Sequence, residues 1–472
     1  MEGDFSIYRD ENDFPIHLER FEEMLRTHTE YFFDAAIFSD IANYFIEEGD
    51  FDKAEKALTI GLGQHPQSIE LFLAKAHMHM AKGEMEDALD SITIAEAFEP
   101  FNEEVYLIKG NILSQLKEHE KALSAYQEAL KYAEDNAFEI YLDMAFEYEY
   151  LEDYEEAIHC LEHVLTVDPA NEAALFELSF CYELADRSED YIAFLNEYLD
   201  QEPYSYIAWY NLGAAYMKEK DYKNAVFAFD YCTLIREDFS SAWLNLANSR
   251  IQLEEYEQAI EAFLSSFEHE QPNANTLTLI GECYEKMDDY EMSLHFYQRA
   301  VNTDESQTDA WVGMGIVHEL NGNIKAALKY VEKALEMEEE NASHWHVYAE
   351  LLEKQERDAD AEYAYLKALM LDAQNRDIWL DYSSFLCNAH SPERAIETLH
   401  EGLKVFPEDD LLLYRLVAYQ LYGGKKNDAL LNLEHALQIN YFAHEDLLEY
   451  CPEARNVDDV IEMLEIYRKN EL

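Results

Sequence analysis

Six cysteines and seventeen histidines are the residues of this chain best suited to covalent or metal chemistry, and their spacing speaks against both. Cys160, Cys181, Cys232, Cys283, Cys387 and Cys451 stand far apart, with no CxxC pair, and most fall where a small apolar helical residue would also fit. They read as buried, reduced thiols. His77 with His79, and His344 with His346, are two residues apart. On a helix that spacing sends the rings to different sides, so neither pair can share an ion. One hundred Asp and Glu residues put paired carboxylates everywhere, which removes their value as a sign of acid–base catalysis. HExxH, GxxxxGK[ST], GxSxG and the twelve-residue calcium loop are all missing from the sequence. The expectation is a protein that is not an enzyme, with no catalytic residues, cofactor or metal.

Thirty-four basic against one hundred acidic residues give a formal net charge of -66. Such a chain repels phosphate backbones, so nucleic acid is not expected as a partner. It attracts cationic partners at long range. The same charge would also follow from nothing more than Glu-rich, solvated helix faces. No run approaches the ~18 uninterrupted apolar residues of a membrane span, and the acidic start Met1-Glu-Gly-Asp lacks the positive region of a secretory signal. A reducing compartment, most simply the cytoplasm, is expected.

The elements that position these residues are read best from 206–239. Trp209, Leu212 and Tyr216 fall three and four residues apart and share one face of a helix, where Gly213 leaves room for a second helix to approach. Ala225 is the small residue of that second helix, and Phe229 lies one turn later on the same side. The small residue recurs as Ala54, Ala88, Ala122, Ala157, Tyr191, Ala225, Ala259, Ser293, Ala327, Ala361, Ala395 and Ala429. Every step is 34 residues except that from Ala122 to Ala157, which is 35. A first-helix small position keeps the same phase from Ala42 and Ala76 through Gly110, Gly213, Gly281 and Gly315 to Val417.

The order W-x2-L-G-x2-Y followed by A-x3-F resembles the tetratricopeptide repeat (TPR) signature. The resemblance implies an all-α fold, a right-handed superhelical solenoid of twelve helix-turn-helix repeats over 35–442. Residues 1–34 would form a lead-in and an N-terminal capping helix with Leu18, Phe21, Met24 and Leu25 on one side, and 443–472 would form C-terminal capping helices. An array of this length leaves no space for a catalytic domain. The extra residue between repeats three and four falls near 133–137. Tyr191, in place of alanine, should splay the fifth helix pair. Trp209, Trp243, Trp311, Trp345 and Trp379 share one repeat position and read as structural, each filling the gap between its own two helices. Pro392 is acceptable only in the first turn of a helix.

In the TPR family the concave wall comes from positions 2, 5, 9, 12 and 13 of each repeat. Carried onto this chain, that implies a peptide-binding strip of Leu142, Phe146, Tyr150, Phe176, Phe180, Tyr210, Ala214 and Met217, with Glu139, Glu149 and Glu183 as its acidic rim. An apolar strip edged by acids suits a basic, amphipathic peptide or helix. The strip could instead be covered by the chain itself. A second patch, Leu411, Tyr414, Ala418, Leu421 and Tyr422, could likewise be open or lie under the C-terminal helices. TPR modules that clamp acidic C-terminal tails use Lys or Arg at positions 2, 5 and 6 with Asn at 9. Asn43, Asn111 and Asn248 are present, but position 5 reads Ser39, Leu73 and Leu107 in the first three repeats, so an acidic tail is not the expected partner. The expected function is an adaptor or scaffold binding protein or peptide. The alternatives are a holding chaperone for cationic clients and a structural subunit using its convex face.

Overall fold

A computed structural model describes residues 14–29, 31–133 and 137–471 of the chain. The expected lead-in up to residue 13, and the inserted residue between repeats three and four if it falls at 134–136, lie outside the described residues. All regular structure among the described residues is helical. From Ala35 to Ile439 the helices form twelve consecutive hairpins, most of 13 or 14 residues per helix. The fold is an all-α repeat solenoid.

Local chemistry explains why the helices start and stop where they do. Ser68, Asn102, Asn171, Ser205, Asn273 and Asp409 cap first helices, each accepting the backbone N–H three residues on. Asp50, Asp153, Asp221 and Asp289 do the same for second helices. Between the two helices of a hairpin the chain reverses through one left-handed residue. Gly49, Gly83, Gly322 and Gly424 supply it in four hairpins, whereas Lys117, Glu152, Asp186, Lys220, Glu254, Asp288 and Glu356 adopt it at φ of 54 to 60°. The eleventh hairpin turns differently, because Pro392 opens its second helix directly after Ser391.

Within each hairpin the small residues do what the spacing predicts. A Cβ added to Gly213 would lie 2.7 Å from the ring of Phe229, and one added to Gly281 would lie 2.7 Å from that of Tyr297. Ala225, Ala259, Ala327 and Ala395 are fully buried on the facing helices. The tryptophans brace the same joints. The indole N–H groups of Trp209, Trp311, Trp345 and Trp379 each donate to the carbonyl six residues earlier, at 2.7–3.0 Å. Trp209 also stacks on Tyr231 of its own hairpin at 4.7 Å.

The chain divides into two compact units, residues 1–237 and 238–472. In the first, the helix Phe14–Thr27 buries Phe21 and Met24 in a cluster with Phe33, Phe38 and Phe45. Its fifth hairpin, Glu172–Leu184 with Ser188–Gln201, is the one whose helices touch each other least. Tyr191, buried at the close-contact position, holds them apart. In the second unit the expected repeat-twelve patch is covered at its centre: Tyr414 and Ala418 are fully buried beneath the C-terminal helices, Leu411 and Leu421 are half-buried, and Tyr422 stays exposed. The Tyr414 hydroxyl donates to the Asn440 carbonyl at 2.7 Å, and the Arg415 guanidinium lies 3.3 Å from the Tyr450 ring centre.

Candidate functional site

The surface that the sequence singles out belongs to the first unit. It is built on the first helices of repeats four, five and six, Ala137–Tyr150, Glu172–Leu184 and Tyr206–Lys218. Side chains tie these helices to one another. The Cys181 thiol donates to Glu149 Oε1 at 3.4 Å, and the Asn211 amide donates to the Leu175 carbonyl at 3.1 Å. Lys218 Nζ lies 3.6 Å from Glu183 Oε1.

The expected strip splits by exposure. Tyr150, Phe176 and Phe180 are 70, 66 and 47% exposed, unusual values for aromatic rings on ordered helices. Tyr150 lies flat on the His119 ring at 4.8 Å, which fixes its orientation. Leu142, Phe146, Tyr210, Ala214 and Met217 are half-buried, and Tyr210 leans on Phe229 with centroids 5.8 Å apart. Of these, Leu142 packs against the hydrophobic core of the unit. Of the acids, Glu139 and Glu183 are exposed and Glu149 is half-buried beside Cys181.

Three residues on the same helices were not singled out by the wall positions. Asp143, Glu177 and Asn211 follow one another at 34-residue steps, one position after Leu142, Phe176 and Tyr210. That polar recurrence was available in the sequence. Burial pushes the Asp143 carboxyl up from 3.8 to about 6, and the charges of Glu139 and Glu147 push the same way. Burial also raises Glu149 and Glu177; the nearby Glu177 charge adds to the rise at Glu149, which the Cys181 thiol opposes. These three helices therefore hold carboxylates whose shifts no cation among the described residues opposes.

Comparison with known proteins agrees with the repeat pattern. A family described as "Tetratricopeptide repeat" matches residues 138–171, 206–239, 240–268 and 274–307, and a second of the same description matches 312–377. "Tetratricopeptide repeat-like domain" matches 19–147. The chain belongs to the tetratricopeptide repeat family. Among curated TPR relatives, "ER membrane protein complex subunit 2-A" of Xenopus laevis is 32% identical over 83 residues, 18% of this chain. "ER membrane protein complex subunit 2" of Xenopus tropicalis matches equally. The chain spans only 28% of the length of these relatives. Among solved structures, "Crystal structure of APC/C hetero-tetramer Cut9-Hcn1" aligns at 15% identity and a TM-score of 0.41, covering 86% of this chain and 93% of that one. "Structure of Naa15/Naa10 bound to HypK-THB" aligns at 14% identity and 0.39, covering 92 and 80%.

As a TPR solenoid the protein is a scaffold suited to protein–protein interaction, of a family that is typically non-catalytic. No helix among the described residues is long and apolar enough to cross a membrane. All six cysteines are free, and burial pushes the thiols of Cys160, Cys232 and Cys283 up to about 12, which makes them poor nucleophiles. His344 and His346 face different neighbours, Asp309 at 3.2 Å and Asp381 at 3.0 Å. Within single units, His79 with Glu84 and Asp87, and His346 with Glu350 and Asp381, bring three ligand atoms within 4.8 Å. Each grouping is already joined by its own hydrogen bond, His79 to Glu84 at 2.8 Å and His346 to Asp381. Exposed apolar rings and chains also occur on second helices, at Phe227, Tyr231 and Leu234 and again at Tyr363, Leu366 and Met370.

Proposed function

We propose that this chain is a non-catalytic, cytoplasmic adaptor that holds a basic, amphipathic peptide or helix against the first helices of repeats four to six. In this reading 35–442 is the recognition array, with 1–34 and 443–472 closing its ends. The observation that carries it is the juxtaposition of exposed Tyr150, Phe176 and Phe180 with carboxylates, Asp143, Glu149 and Glu177, that burial has left short of counter-charge. Covering one such ring contributes about 1–2 kcal/mol, less than the ~1.5–3 of a fully buried large apolar side chain because each ring is already partly covered. The acids attract the partner's cations, raise the rate of encounter and make it salt-sensitive. An acidic C-terminal tail would meet only repulsion here.

The test uses variants that spare the core. Tyr150→Ala, Phe176→Ala and Phe180→Ala together should abolish recovery of the partner from native lysate while the helical circular dichroism stays unchanged. Recovery of the same partner by the triple variant would refute the groove. A holding chaperone for cationic clients is favoured by the net charge of -66 alone. It predicts capture of several unrelated basic proteins, lost in high salt and indifferent to the three substitutions. A structural subunit would use Phe227, Tyr231 and Leu234 or Tyr363, Leu366 and Met370 instead.

A further inference from the structure

The fifth repeat departs from its neighbours in sequence and in shape at the same point. Ten of the twelve repeats carry alanine at the close-contact position of the second helix, and here it is Tyr191. Its ring, 5% exposed and stacked on Tyr182 at 4.9 Å, wedges the two helices of the hairpin apart. The result is a notch of about 310 Å³ between Glu172–Leu184, Ser188–Gln201 and Tyr206–Lys218, far more than a single ordered water requires. Ala214 and Ala215 form one wall and Tyr182 another, while Glu183 and Lys218 stand at the rim.

The polar groups of the notch are unevenly satisfied. The Tyr191 hydroxyl lines it, is buried, and has no hydrogen-bond partner. The Ser179 hydroxyl and the Asn211 amide stand beside that phenol, close enough to act on it but outside hydrogen-bonding geometry. Ser179 spends its only donor on the Phe176 carbonyl at 2.7 Å, and Asn211 one of its two on the Leu175 carbonyl at 3.1 Å. Among what remains, acceptors outnumber donors: the Asn211 carboxamide oxygen, the Ser179 oxygen and the lone pairs of the phenol stand against one Asn211 N–H and the phenol O–H. A buried polar group left without a partner is expensive, so a built notch of this kind asks for an occupant rich in donors.

We infer that the notch receives one arginine side chain of the bound polypeptide, its aliphatic stem against Ala214 and Ala215 and its guanidinium among the oxygens of Tyr191, Ser179 and Asn211. The inference rests on the groove reading above and names the anchor of its partner. A guanidinium offers five N–H donors in a flat fork and is weakly hydrated, whereas an ammonium offers three and holds its water tightly. At the mouth, the Glu183 carboxylate is engaged only loosely by Lys218, at 3.6 Å, and both side chains are well exposed at 65 and 43%. An entering guanidinium takes the place of Lys218 on Glu183, and Lys218 swings into water. An anion would face Glu183 and a set of acceptors, and a purely apolar side chain would leave the Tyr191 hydroxyl unsatisfied.

The experiment is a selection of displayed, randomised sixteen-residue peptides on the full-length chain, followed by binding isotherms of the enriched peptides as synthetic probes. The expected result is one fixed arginine whose replacement by lysine or by citrulline weakens binding at least tenfold. Tyr191→Phe, which keeps the ring and the wedge, should weaken the parent peptide severalfold and shrink the preference for arginine over citrulline. Tyr191→Ala, which restores the residue of the neighbouring repeats and lets the notch close, should remove it. Peptides that lose binding on Phe176→Ala with Phe180→Ala, yet carry no fixed arginine or ignore Tyr191→Phe, would overturn the inference and leave the groove standing. If no enriched peptide responds to Phe176→Ala with Phe180→Ala, the groove and its anchor both fall.

Discussion

Asp143→Asn should make the fourth repeat more stable at neutral pH, and the size of the gain should depend on pH in a defined way. The carboxyl of Asp143 titrates at about 6 in the fold against 3.8 when unperturbed, because burial and the charges of Glu139 and Glu147 disfavour its ionised form. A folded value above the unfolded one means that the favourable contribution is complete below 3.8 and is lost as pH rises through about 6. At about pH 7.5 the shift corresponds to about 3 kcal/mol of destabilisation in the wild type, and screening at a half-buried site reduces this to about 1–2 kcal/mol. At about pH 5 Asp143 is mostly protonated, and roughly half of the penalty has gone. Asparagine has the shape of the protonated acid and similar helix propensity, so it removes the penalty without altering the packing. Hydrogen exchange of the hairpin Ala137–Val167 in the full chain, read by mass spectrometry and corrected for intrinsic rates, isolates the local effect from the rest of the array. The protection gained by the variant should be about fivefold greater at about pH 7.5 than at about pH 5, which is about 1 kcal/mol. Equal gains at both pH values, or faster exchange in the variant at neutral pH, would refute the electrostatic reasoning. The same group ties stability to binding. A cationic partner relieves Asp143, so affinity in the wild type should rise by up to about tenfold over this interval and stay flatter in Asp143→Asn.

Three further outcomes follow from the packing and the turns. Gly213→Ala places a Cβ 2.7 Å from the fully buried Phe229 ring and should lower stability by about 1–2 kcal/mol in thermal unfolding, while Gly63→Ala, which meets nothing within 4 Å, should raise it by about 0.5–1 kcal/mol. Glu254→Gly relieves a left-handed residue at φ 60° and should stabilise its hairpin by about 0.5 kcal/mol, the strain released being partly offset by the greater freedom of glycine in the unfolded chain. Burial lowers the His346 imidazole, but the Asp381 hydrogen bond and the charges of Glu350 and Asp377 outweigh it, and the net shift is upward from 6.5. The stability it lends is therefore complete below 6.5 and fades as pH rises through the folded value; Asp381→Asn should flatten that slope in the exchange of Ala342–Lys354.

The fold was legible because its period is written twice, once in each helix of the hairpin. The Phe229 ring over Gly213, with Ala225 fully buried one turn earlier, fixes how closely the two helices approach, and the same small positions recurring at 34 residues leave one architecture that satisfies all of them. Tyr191 was legible for the complementary reason: a large ring at a close-contact position has to separate the helices, and it does. The exposure of the proposed binding surface was legible only in outline. Spacing places Phe146, Phe180 and Tyr210 on one face of their helices, but exposure depends on how far the neighbouring second helix reaches over that face. Phe180 is left half-exposed, whereas Phe146 and Tyr210 are half-buried. Repeat twelve shows the same dependence: Tyr414 and Ala418 sit in the register of a wall, and only the descent of the C-terminal helices over them decides that they are covered.

Charge was the least legible quantity, since one hundred acids cannot all be informative. Desolvation, a property of packing that no count of residues contains, raises Asp143 and Glu177 as it raises Glu282, Glu285, Glu350 and Glu353; the first two are set apart by sharing their helices with the exposed rings of Tyr150, Phe176 and Phe180. A carboxylate on a free helix face relaxes into water, and its presence says nothing about a partner. One trapped beside other carboxylates on a wall of exposed rings is unfavourable in the free protein, and a chain under selection for stability alone would replace it with asparagine or glutamine. The fifth repeat carries the same kind of conflict in another form, with a buried phenol wedged where alanine would pack better and left without a hydrogen bond. Both conflicts fall within repeats four and five of one unit, and both would be relieved by the same visitor, a donor-rich cation carried on an apolar backbone of side chains. That coincidence in place and in chemistry, more than the overall acidity, is the physical ground for assigning recognition to repeats four to six.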